Sequence, residues 1–138
     1  MHDTDLAWTA GIVDGEGCIS LHTVTTSKGN QCYVLRLDVT NTNLLMLNRL
    51  QELFGGNIIA GQRVAEHHKD VWHWQVASKN AERVLSQIES YLVNKREECK
   101  VGLLSRTLMQ KQGSNKVNPH TQKLMWLKNQ LSTLKTAP

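Results

Sequence analysis

Polar and apolar positions change their period several times along the chain, and each change marks an element. From Thr4 to Val13, Leu6, Ala10 and Val13 share a helical face, with Thr4 placed to cap and Asp5 in the first turn. Asp14-Gly15-Glu16-Gly17 interrupts that pattern. Cys18–Thr26 then alternates, Ile19, Leu21 and Thr23 on one side, Ser20, His22 and Val24 on the other, which predicts a strand with one wet face. Ser27–Asn30 is a turn, and Gln31–Thr40 alternates again, with Tyr33, Leu35, Leu37 and Val39 inward and Arg36 and Asp38 outward. The two segments predict a hairpin.

Asn43 can cap a second helix that carries Leu44, Leu47, Leu50 and Phe54 and stops at Gly55-Gly56. Asn57–Val64 and Val71–Ala77 read as two further strands joined by the polar loop 65–70, with Trp72, Trp74 and Val76 on one face of the second and His73 and Gln75 on the other. Asn80–Leu92 is amphipathic. A following helix, about Asn94–Gln110, would turn Val101, Leu104 and Leu108 inward. Gly113–Val117 reads as a joint, and Asn118-Pro119 opens a last helix with Leu124, Leu127, Leu131 and Leu134 as its seam. The sum is an α+β fold, α-β-β-α-β-β-α-α-α, with helices on one face of an antiparallel sheet. Residues 1–112 form the core domain and 113–138 a linker and helix packed on it. The other sheet face collects Ser20, His22, Arg36, Asp38, Gln62, His73 and Gln75, either a plain solvated surface or one that reads hydrogen-bond donors and acceptors.

The chain has 138 residues, room for one domain, and 40% hydrophobic residues, enough for a core. No apolar run spans a membrane and no signal pattern opens the chain, so a soluble intracellular protein is expected. Cys18, Cys32 and Cys99 are odd in number and include no CxxC pair, which argues against a disulfide framework or a cysteine-built zinc site. A net charge of +4 is compatible with a nucleic-acid partner but does not demand one.

The chemistry concentrates in the acidic break. Asp14 and Glu16 sit at the end of the first helix, where carboxylates oppose the helix dipole at a cost of about 0.3–1 kcal/mol each. A hard divalent cation would repay that placement, and one acid from each of two subunits could clamp a scissile phosphate. The plainer reading has Asp14 satisfying backbone groups at the turn and Glu16 in solvent.

The segment Thr9-Ala-Gly-Ile-Val-Asp-Gly-Glu-Gly17 resembles the signature nonapeptide of the LAGLIDADG homing endonucleases, with Thr9 for the usual Leu and Glu16 where Asp is common. Leu50–Ile59 and Tyr91–Glu97 look like two further family segments, and the αββαββα order covers residues 4 to about 110. The resemblance implies a saddle-shaped antiparallel sheet and site-specific hydrolysis of double-stranded DNA with magnesium (Mg2+); residues 113–138, with the C-terminal helix, lie outside it and are read from the pattern alone. It implies Glu16 as the metal carboxylate, assisted by the Gly15 carbonyl, with Asp14 structural. Lys95 would lie near the scissile phosphate and Asn41 would help to position water. Ala7, Ala10, Gly11 and Asp14 would line a helix-to-helix dimer contact.

One motif in 138 residues implies a homodimer carrying twice +4, or +8, and a palindromic or pseudo-palindromic target. The polar face would enter the major groove, with Arg36 suited to guanine, Gln62 and Gln75 to adenine, Asp38 to cytosine, and Ser20, His22 and His73 adaptable. Lys28, Arg63 and Lys69 in loops suit phosphates. Trp72 and Trp74 favour core burial over base stacking, and His67-His68 beside His73 is a weak metal cluster. The same fold also serves intron RNA-binding maturases and non-catalytic DNA-binding regulators; RNA is a partner only on that alternative. A small metal enzyme of another kind would need a concave pocket that the pattern does not announce.

Overall fold

The fold is that of a computed structural model, which describes residues 1–29, 31–61, 70–109 and 120–136. The elements run α1 (Asp3–Glu16), β1 (Gly17–Thr25), β2 (Gln31–Asn41), α2 (Leu44–Phe54), β3 (Asn57–Ala60), β4 (Trp72–Ala77), α3 (Ser78–Ile88), a 3-10 turn Glu89–Tyr91, α4 (Arg96–Met109) and α5 (Thr121–Thr136). The strands form one antiparallel sheet in the order β1-β2-β4-β3. The α+β class, the element order and the antiparallel sheet agree with the pattern of the sequence.

Register aligns the apolar positions across three strands. Ile19 faces Leu37, which faces Val76, and Val39 lies between Gly17 and Trp74. Ile19, Leu35, Leu37, Val39 and Trp74 are fully buried, and Ala10, Val13, Leu47, Leu50, Val84, Leu85, Ile88 and Cys99 close the core from the helices. Burial pushes the Cys99 thiol up to about 12, so it behaves as a small core group. Trp74 buries its ring and donates Nε1–H to the Gly55 carbonyl at 2.8 Å, which rules it out as a base-stacking platform.

Several local expectations shift. Thr4 does not cap α1. The helix starts at Asp3, and the Asp5 carboxylate reaches back to the His2 N–H at 3.4 Å. The helix also continues through the acidic break to Glu16, because Asp14 and Glu16 cost too little to stop it three residues short. Thr9, the departure in the nonapeptide, is fully buried with its hydroxyl donating to the Asp5 carbonyl at 2.8 Å. Asn43 caps α2 as expected, accepting from Leu45 N–H at 3.0 Å, and Gly55 ends it at φ 73°. The inward face of α4 carries Glu98, Cys99, Gly102, Ser105 and Leu108, while Leu104 points out. The helix is therefore rotated from the expected face, and it lies tight on the sheet because a Cβ on Gly102 would sit 3.0 Å from Leu35.

The first helix enters the sheet without a loop, and Gly17 makes this possible. A Cβ at Gly17 would lie 2.8 Å from the Val13 carbonyl oxygen and 2.9 Å from its Cα, both rigid backbone. Gly17→Ala is expected to lower stability by about 1–3 kcal/mol, read as a lower midpoint in urea unfolding at unchanged slope.

Candidate functional site

The site grows from the end of α1. Both oxygens of the Asp14 carboxylate accept backbone hydrogen bonds from the segment leading into α4: Val93 N–H at 2.8 Å, Asn94 N–H at 3.1 Å and Lys95 N–H at 3.0 Å. The Asp14 carbonyl in turn accepts from Lys95 Nζ at 2.9 Å and from the Asn94 carboxamide at 3.4 Å. Asp14 thus replaces the missing partners of a helix start, and Lys95 Nζ offsets the negative end of α1. Its carboxylate is thereby committed to its own chain, in the structural role expected of it.

Glu16, one turn-step further, is exposed and makes no hydrogen bond or ion pair among the described residues. Its carboxylate and the terminal carbonyls of α1 are hard oxygen donors, as a divalent cation requires. Yet the described residues of one chain contain no group of three His, Cys, Asp or Glu side chains able to hold a metal. The donor set is of the right kind and incomplete.

The outer surface of α1 shows where completion would come from. Ala7, Gly11 and Gly15, spaced one turn apart, are exposed, and a Cβ on Gly11 or Gly15 would meet nothing within 4 Å. Trp8 stands beside them, 36% exposed. Ala10 is a correction: it is fully buried in the core of its own chain and cannot touch a partner.

The polar sheet face is assembled as the alternation requires. Ser20 opposes Arg36, Cys18 opposes Asp38, Asp38 opposes Gln75, and Thr40 opposes His73. Ser20 Oγ lies 2.9 Å from His22 Nε2, and Thr40 Oγ1 lies 2.7 Å from His73 Nδ1. Burial lowers the His22 pKa, Arg36 and the α5 lysines Lys128 and Lys135 lower it further, and Asp38 opposes them. Burial raises the Asp38 carboxyl above its ordinary range against the pull of Arg36, and its Oδ1 is buried with no hydrogen-bond partner among the described residues. Lys28 is exposed in the β1–β2 turn. Asn41, at the end of β2, accepts from Asn43 N–H at 2.8 Å and keeps its amide N–H groups. Gln62, Arg63, His67, His68 and Lys69 lie outside the described residues.

Sequence reasoning missed two residues. Glu98 is buried, with Oε2 lacking a hydrogen-bond partner among the described residues, and Lys135 comes from α5. Both line a cavity of about 330 Å³ together with Gly17, Cys18, Asn94, Lys95 and Leu134. Glu98 is three residues beyond Lys95 on a helix, a spacing that puts the two on one side, but nothing in the pattern announced that this side faces inward.

A sequence profile of LAGLIDADG endonucleases matches residues 9–100. The chain belongs to the LAGLIDADG endonuclease family. The stretch matched runs from the nonapeptide through Lys95 and Glu98 and stops before α5. Among solved structures of similar fold, the homing endonuclease I-CvuI in complex with its target in the presence of 2 mM Ca superposes with a TM-score of 0.78 at 20% identity, over 98% of this chain and 84% of that one. The archaeal intron-encoded homing endonuclease I-Vdi141I complexed with DNA gives 0.76 at 14% identity, over 96% and 84%. The meganuclease I-SmaMI, bound to uncleavable DNA, gives 0.74 at 17% identity, over 90% of this chain and 43% of that one. No curated protein matches the chain significantly by sequence.

Asp38→Asn offers a test of the strained carboxyl on the sheet face. A carboxyl whose folded pKa is raised costs stability once it ionises, above its unfolded pKa, and costs nothing below it. The substitution is therefore expected to raise the melting temperature at pH 7 and leave it unchanged near pH 3, measured by thermal unfolding at both.

Proposed function

We propose that two copies of this chain cleave a palindromic or pseudo-palindromic DNA duplex by metal-dependent phosphodiester hydrolysis. The single observation that carries the reading is Glu16: a free, exposed carboxylate ending a helix whose outer stripe is small and open. Helices with small residues in register approach closely, and a twofold axis through Ala7, Gly11 and Gly15 would bring two Glu16 carboxylates together. That completes the donor set lacking in one chain, for Glu16 with the Gly15 carbonyl. Magnesium is the ion that suits carboxylate and carbonyl oxygen, and when bound it supplies charge neutralisation at the scissile phosphate.

The remaining work falls to the chain's own groups. Asp14 holds the 93–95 segment, and Lys95 Nζ reaches the Asp14 carbonyl at the end of α1. On this reading its ammonium stabilises charge developing on a phosphate oxygen. Asn41, whose amide N–H groups are not used in its contact to Asn43, would order water. On the sheet face Arg36 suits guanine, Gln75 adenine, and the unpartnered Oδ1 of Asp38 suits the amino group of cytosine. Ser20, His22 and His73 would fill in adaptable contacts, and Lys28, exposed in its turn, suits a phosphate. Two chains double the charge to +8. The fold itself does not exclude a maturase or a DNA-binding regulator, but neither needs a free acid at the end of α1.

Glu16→Gln is expected to abolish strand cutting, by at least about a hundredfold in rate, while DNA binding measured by electrophoretic retardation persists. Tight binding with no cutting by the wild-type protein in magnesium would favour a regulator instead. Gly11→Leu separates folding from pairing. A Cβ there meets nothing within 4 Å in the single chain, so the circular-dichroism melt should be preserved while sedimentation shows monomers and cutting is lost.

A further inference from the structure

Two acids open α4, and only one of them is accounted for. Glu97 and Glu98 both lie in its first turn, where a carboxylate faces the positive end of the helix. Glu97 is exposed and pairs with Lys100 at 3.4 Å. Glu98 turns inward, 8% exposed, and its Oε2 is buried with no hydrogen-bond partner among the described residues. An ionised carboxylate only accepts, so a buried oxygen of this kind calls for a donor.

The chain brings no free donor to it. Glu98 lines the cavity of about 330 Å³ together with Cys18, Asn94, Lys95 and Lys135. The backbone N–H groups of Asn94 and Lys95 are spent on the Asp14 carboxylate, and Lys95 Nζ on the Asp14 carbonyl at 2.9 Å. The Asn94 carboxamide is turned to the same carbonyl at 3.4 Å. Cys18 brings only a thiol, a weak donor. Lys135 is exposed near the end of α5, and its ammonium does not meet Oε2. The donor that remains is water. A water molecule takes up about 30 Å³ of liquid, so the cavity admits several, and its polar walls can hold them. The wall also includes Gly17, the residue after Glu16, so water there stands next to the end of α1.

Resting on the DNA-cleaving reading above, we propose that Glu98 accepts the proton of the water that attacks the scissile phosphate. The water oxygen bonds to phosphorus, and the bond from phosphorus to the leaving sugar oxygen breaks. One proton of the water passes to the Glu98 carboxylate, and the sugar oxygen takes a proton from solvent. Two acids thus divide the work. Glu16, at the exposed end of α1, serves the cation, and Glu98, set back in the cavity, serves the proton. The other titratable groups facing that cavity are Cys18 from β1, Lys95 from the start of α4 and Lys135 from α5.

The test is single-turnover cutting, in magnesium, of a duplex that the wild-type protein selects from a randomised pool and cuts. Glu98→Gln keeps the size of the side chain and one acceptor oxygen but cannot take up the proton. It should cut at least about a hundredfold more slowly. It should bind the duplex without magnesium as the wild type does, and reach half its own maximal rate at the same magnesium concentration. The wild-type rate should fall towards acid pH as the carboxylate is protonated, and the rate of Glu98→Gln should not share that fall. Glu97→Gln removes the neighbouring acid and should change none of these quantities. Cutting by Glu98→Gln at the wild-type rate or with the wild-type pH profile, weaker duplex binding, or a raised magnesium requirement would each overturn the assignment. So would a lower melting temperature of Glu98→Gln, which would mark the acid as a group that only holds the fold. Selection or cutting of no duplex by the wild-type protein would instead overturn the DNA-cleaving reading itself.

Discussion

The position of Lys95 at the end of the first helix hangs on the bonds made by Asp14. Three backbone amides, from residues 93 to 95, converge on one carboxylate at the end of the first helix, and Lys95 closes the circuit through the Asp14 carbonyl. The contact spans about eighty positions of sequence and ties the first helix to the start of the fourth. Hydrogen bonds to a charged acceptor contribute about 1.5–3 kcal/mol each at best, so this small cluster is worth a sizeable share of the stability of a domain this size. It also fixes relative position. Glu16 and Lys95 are far apart in the chain and would have no defined geometry without it.

The sheet answers a different constraint. Its inner face is set by Ile19, Leu37, Val76, Val39 and Trp74 lying in register, and a slip of one residue would turn this set to water. The outer face inherits its order from the same register without being packed for it. Asp38 lies beside Gln75 and Cys18 because the inner face demands that alignment, and its half-buried carboxyl bears the cost. The polar face is thus obtained as the reverse side of a core.

Most of the fold was legible because strand alternation and the helix cap at Asn43 are local signals read over a few residues. The end of α1 was misjudged for the same reason. Local propensity says that Asp-Gly-Glu-Gly breaks a helix, and the remote amides that hold Asp14 in helical geometry are not local. The inward side of α4 was misjudged because Leu104 looks like core, whereas Gly102 and Ser105 are small enough to let the helix lie against Leu35 and Ile19. At the site, Glu16 stood out in the acidic break, whereas Lys95 was legible only through a resemblance. The inward face of Ala10 follows from a helix buried on one side by its own chain, and a pattern that is apolar all round does not say which apolar residue goes where. Glu98 had no signature, since a buried acid without a partner looks in sequence like a solvated one.

The incomplete donor set at the end of α1 has a consequence for a cell that makes this protein. A lone chain carries an acid, a lysine and a polar sheet face, yet its described residues include no group of three His, Cys, Asp or Glu side chains that could hold a metal ion. On the proposed pairing of two Glu16 carboxylates, a chain that has not paired would leave DNA uncut even when it is correctly folded. Its output would rise with the square of its concentration when chains are scarce, so a small leak in expression stays silent and a larger one does not. The open stripe of glycine works in this sense as a threshold, built from the absence of side chains.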